Sequence, residues 1–215
     1  RAALADESYI AQCRAQGFYP ALYYPHNVHF LWYSASMEGR SKVALDAAQK
    51  LVQKVPKDML DKVPFLQSFG AAPYFGLIRF AKWDEILSLP KPDGNLEFIA
   101  AMWHASRSVA ALRLGKSDLA QNEMSAFREM VGQIVSSKVA YGFPAAEILD
   151  IAGRFVEAEH AVIRKDYAAA ENVLAEAVVI EDGLKYTEPP YWYFPMRQYP
   201  GAVQLQRGEY VSAEQ

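Results

Sequence analysis

With 215 residues, 52% of them hydrophobic and 22% charged, the chain has the composition of a folded protein and not of a disordered one. A net charge of -3 gives no long-range pull toward nucleic acid or anionic lipid, and no apolar run reaches the roughly 18 residues that cross a bilayer. The single cysteine, Cys13, excludes an internal disulfide and metal sites built on several thiolates.

Nearly every segment between turns has helical period. Residues 6–16 predict a short helix stopped by Gly17, and Pro25 opens a second that runs to Glu38, since a first-turn proline gives up no hydrogen bond. Ser41 is expected to cap a helix over residues 42–55, ended by Pro56. Residues 58–69 predict a weaker helix interrupted by Pro64. Ala72-Pro73 opens another, ending near Phe80, with residues 84–88 as its short partner and a loop at 90–94. Asn95 is expected to cap a long helix to Leu114. Its two apolar stripes, one through Ile99 and Trp103 and one through Phe98 and Met102, predict packing on two sides. Helices over 117–136, 145–164 and 168–182 follow. Glu188-Pro189-Pro190 reads as the opening of a last hairpin, in which Tyr199-Pro200-Gly201 should kink the first helix or distort its end. No strand, low-complexity tract or domain linker is evident.

One turn signal returns five times, at Gly39, Ala81, Gly115, Lys165 and Gly208. Each time a small or apolar residue stands five positions on: Ala44, Ile86, Ala120, Ala170 and Ala213. Such self-similarity predicts stacked helical hairpins, an all-α solenoid forming one domain over residues 1–215. The chain starts on Arg1 and stops at Gln215, where a second helix should begin, so it reads as a piece of a longer array. The compartment is not legible beyond a soluble protein, cytoplasmic or periplasmic.

These turns and their surroundings resemble tetratricopeptide repeats, best over residues 154–177 and next over 109–127 and 30–51. Turn spacings of 42, 34, 50 and 43 residues, against the family's regular repeat of about 34, describe a divergent array with insertions. Tyr9-Ile10-Ala11-Gln12-Cys13, Tyr23 to Leu31 and Glu188-Pro189-Pro190-Tyr191-Trp192-Tyr193 together resemble a group of bacterial tetratricopeptide proteins without an assigned activity. In that group the array continues on both sides. The resemblance implies a right-handed α-α superhelix of about five divergent hairpins. It also implies a non-enzymatic scaffold without a cofactor, whose concave groove takes a protein or peptide segment. Family groove positions fall on His26, His29, Tyr33, Ser36 and Met37, then on Phe75, Ile78 and Arg79, then on Met102 and Arg113.

Two other readings stand beside this one. His26 and His29 share a helix face and can hold a metal, with His104 or a carboxylate completing the site of a metal carrier or metal-dependent enzyme. Alternatively, one imidazole satisfies backbone near the helix start and the other packs beside Phe30. Charged residues also fall at positions the family buries: His104, Arg107, Arg154, Glu157 and Arg197. A surplus of cations there points to a small anion such as a carboxylate, unless Glu147, Glu159 or Glu188 completes the pairing. The aromatic run from Pro189 to Pro195 suits an interface or a core. Trp83 and Tyr167 read as packing between hairpins, and Cys13 as inert buried packing. No nucleophile elbow, phosphate loop or dinucleotide fingerprint appears, so no catalytic residue is assigned.

Overall fold

The computed structural model describes residues 1–13, 23–55, 57–60, 62–93, 96–137 and 139–214. Among these every regular element is helical. The first are α1 (Ala2–Cys13), α2 (Tyr24–Met37) and α3 (Ser41–Lys54). Short pieces follow: α4 (Lys57–Leu60), a 3-10 turn (Pro64–Leu66), and α5 (Gln67–Gly70). Then come α6 (Ala72–Arg79), α7 (Trp83–Ser88), α8 (Glu97–Arg113) and α9 (Ser117–Ser137). The last are α10 (Ala145–Ile163), α11 (Tyr167–Gly183), α12 (Gln198–Arg207) and α13 (Tyr210–Ala213).

All five turn signals adopt one conformation. Gly39, Ala81, Gly115, Lys165 and Gly208 have φ of 74°, 54°, 70°, 60° and 79°, the left-handed region that ends helices. The next residue's N–H reaches back five positions each time: Arg40 to Ala35, Lys82 to Leu77, Lys116 to Ala111, Asp166 to Ala161 and Glu209 to Gln204, at 2.8–3.0 Å. These are Schellman bonds, which satisfy carbonyls left open at a helix end. That same residue's carbonyl then accepts the first bond of the following helix, from Ala44, Ile86, Ala120, Ala170 or Ala213. The recurring small residue is therefore the point where a second helix leaves its turn, and the first four are fully buried there.

Helices so joined pack as pairs: α2 with α3, α6 with α7, α8 with α9, α10 with α11 and α12 with α13. First helices also touch in succession, α2 to α6, α6 to α8 and α8 to α10, forming one layer with the partner helices behind. α8 buries residues on every side, from Phe98 to Leu112, as its double stripe requires. One apolar cluster extends from Ala3 to Val203.

Several expectations change. Ser41 does not cap: Arg40 holds the cap position without a side-chain bond, because the preceding turn already places its backbone. Asn95, Gly17 and Pro56 lie outside the described residues, and the long helix begins after Leu96. The helix expected over 58–69 is broken into short pieces around Pro64. Cys13 is exposed rather than packed, since α1 buries only Ala3 and Asp6.

The largest change is at the end. Glu188-Pro189-Pro190 opens no helix, and residues 184–197 form a non-helical strap. Trp192, Tyr193 and Met196 bury this strap to 2%, 1% and 0% exposure. It lies on the first-helix layer: Phe75 of α6 meets the Trp192 and Tyr193 rings at 5.1 and 4.8 Å, and Phe155 of α10 meets Trp192 and Tyr199 at 6.2 and 4.9 Å. Glu181 accepts the Met196 N–H at 2.8 Å, and the Tyr193 and Tyr199 hydroxyls pair at 2.7 Å. Pro200 therefore falls in the first turn of α12, where it removes no helical hydrogen bond, and not inside a longer helix that it could kink.

Candidate functional site

The strap divides the first-helix face in two. On one side, toward the N-terminal ends of α6, α8 and α10, lies a cavity of about 310 Å³. Its floor is Phe65, Phe69, Phe75, Phe98 and Ile148, and its rim carries Tyr23, His26, His29 and Ser68. The strap supplies the remaining wall through Thr187, Glu188, Pro189 and Tyr191.

Helical spacing in α2 puts both imidazoles on this cavity. The His29 ring lies parallel to Trp32 at 5.1 Å and meets the edge of Phe69 at 5.3 Å. That enclosure strips water from the imidazolium, and His26 nearby adds repulsion, so the His29 pKa falls to about 3. It is a neutral ring at physiological pH, with one N–H and one acceptor nitrogen. His26 is exposed on the rim, edge-on to Phe30 at 4.9 Å. Among the described residues no group of three His, Cys, Asp or Glu is placed to hold a metal, and His104 does not approach the pair.

Other groove positions disperse. Tyr33 is half-buried, its hydroxyl pKa raised by burial and by Glu181. Ser36 is buried and donates to the Trp32 carbonyl at 2.8 Å, Met37 is exposed, and Met102 lies wholly in the core. Phe75 is roofed by the strap, while Ile78, Arg79 and Arg113 line a second cavity on its far side.

The charged constellation does not converge. His104 Nδ1 and Arg107 Nε share one carboxylate, that of Glu123 on α9, at 2.6 and 2.7 Å. Arg107 also donates to the Leu87 carbonyl at 2.7 Å and stacks over Trp103. Arg154 is held by Asp150 and Glu176, Glu157 by Arg128, and Arg197 by Asp182. The four cations expected to gather around a small anion are instead held at three separate places, His104 and Arg107 on Glu123, Arg154 on Asp150 and Glu176, and Arg197 on Asp182. None of Glu147, Glu159 or Glu188 supplies those partners.

The cavity floor was only partly legible. Phe65, Ser68, Phe69 and Ala72 follow helical spacing and mark a face, whereas nothing local ties Thr187 to Tyr191 to α2. Compared with known proteins, the chain matches no family model, no curated protein and no solved structure.

Proposed function

We propose that the chain is a non-enzymatic binding module of the tetratricopeptide kind, in which a partner peptide docks one apolar or aromatic side chain into the cavity beside His26 and His29. The observation that supports it is the cavity itself: about 310 Å³, floored by four phenylalanines and an isoleucine and rimmed by a few polar groups. An apolar cavity of about 150 Å³ already admits benzene, so an aromatic side chain fits with room to spare. Neutral His29 offers a donor and an acceptor to the peptide backbone without the cost of burying a charge. The right-handed superhelix belongs to the same reading, supported by five turns of one geometry and by paired helices in two layers. Because the strap covers the middle of the first-helix face, recognition centres on one anchor residue rather than on a long groove.

Selection from a random peptide library tests this. Bound sequences should share one Phe, Trp, Tyr or Leu, and Ser68→Trp, which fills the cavity, should weaken them at least tenfold. Peptides without a common apolar residue, or binding unchanged in Ser68→Trp, would remove the proposal.

A further inference from the structure

The strap's other face borders a second cavity, of about 670 Å³, toward the C-terminal ends of the same three helices. α6 contributes Arg79, α8 Arg113 and α10 Glu159, and the strap with the start of α12 adds Tyr193, Phe194 and Tyr199. Arg79 is the unexplained group. Its guanidinium lies over the Phe194 ring, 4.2 Å from the centroid, and its Nε is buried without a hydrogen-bond partner. Among the described residues it joins no ion pair, although the other half-buried arginines, Arg107 and Arg154, both do. A buried Nε–H without a partner is costly, and a guanidinium fixed by stacking presents its donors in a fork that matches a carboxylate.

We infer that this cavity is a binding site for a small organic carboxylate with an apolar body, its head group taken by Arg79 and Arg113. Arg113 is already 2.5 Å from Glu159, and that carboxyl is the single acid on the wall. Burial raises its pKa against the opposing pull of Arg113. The Glu159 carboxyl, held at Arg113, puts an acidic group beside the two arginines, which disfavours a phosphate dianion more than a carboxylate monoanion. The choice of a carboxylate over a phosphate rests on this. Phe155, Val109 and Leu205 supply an apolar lining that a bare inorganic ion would leave unused. Arg197 stands at the mouth, engaged with Asp182, and adds attraction at the entrance. The site is separate from the peptide cavity and does not depend on it.

Titration calorimetry with octanoate, n-octanol and inorganic phosphate tests the assignment on the intact chain. Octanoate should bind one per chain, with the other two at least tenfold weaker. Arg79→Gln should weaken octanoate at least tenfold, and Ser68→Trp, in the other cavity, should leave it unchanged. If Arg79→Gln loses its folding transition, Arg79→Lys keeps the charge but not the fork and should cost at least fivefold. Proton NOEs from octanoate to the Trp83 ring, which lines this cavity, locate the ligand in the unaltered protein. Absence of saturable octanoate binding, phosphate binding as tightly, or loss in Ser68→Trp with retention in Arg79→Gln would each overturn it.

Discussion

Tyr193 stacks on Phe75 with ring centroids 4.8 Å apart and planes 22° from parallel, and this contact seats the strap on α6. Two residues 118 positions apart thereby decide that the first-helix face carries two cavities instead of one groove. Tyr193→Ala should lower stability by about 3–5 kcal/mol, the usual cost of deleting a large buried aromatic side chain. Tyr193→Phe keeps the stack and loses only the hydroxyl pair with Tyr199, for about 1 kcal/mol. Urea unfolding separates these; equal midpoints for wild type and Tyr193→Ala would mean the strap is no part of the cooperative core.

Glu123 should be the most sensitive acid in the chain. Its carboxylate faces both His104 and Arg107, with side-chain exposures of 9%, 11% and 15%. Glu123→Ala strands a buried guanidinium and should cost about 3–5 kcal/mol. Replacing the pair by Arg107→Met with Glu123→Leu should recover most of that loss. A double variant no more stable than Glu123→Ala would show that shape, not charge, sets the cost.

His29 predicts an acid-side loss of stability. The ordinary histidine pKa is 6.5 and the folded one is about 3, so the unfolded chain binds more protons throughout that window. The contribution is complete above pH 6.5 and falls as pH drops toward 3, by up to about 1.4 kcal/mol per unit. Glu159, raised by burial, gives a slope of the opposite sign as pH rises from about its ordinary carboxylate value. The difference between wild type and His29→Gln isolates the histidine. Parallel stability-pH curves for the two proteins would refute the assignment.

Lys165 pays for a left-handed backbone that a glycine adopts freely. Lys165→Gly should raise stability by about 1 kcal/mol, and Gly115→Ala should lower it by a similar amount. A Cβ on Gly115 meets nothing within 4 Å, so backbone conformation is the whole of that cost. Thermal melts of both variants check the pair. An unchanged Lys165→Gly would mean the turn is not strained.

The helices and their turns were legible because a Schellman ending is local chemistry, written in a few neighbouring residues such as Met37-Glu38-Gly39-Arg40. His26 and His29 were placed together for the same reason, three residues apart on one helix. Glu123 is not legible as the partner of His104 and Arg107, since it sits 16 positions beyond Arg107 and looks in sequence like any solvated helix acid. The strap was misread because two prolines ordinarily open a helix. What holds it extended is the burial of Trp192, Tyr193 and Met196 against residues more than 30 positions away, such as Phe155 and Phe75.

In each of the five turns one residue closes the outgoing helix with its N–H and starts the incoming one with its carbonyl. No spare linker residue remains inside a pair, so there is no joint about which its two helices can swing. Each hairpin is mechanically a single part. The connection between α11 and α12 is the strap itself. With Trp192, Tyr193 and Met196 buried, that connection is itself part of the core, so the strap works as a rivet that fastens the last pair to the first-helix layer.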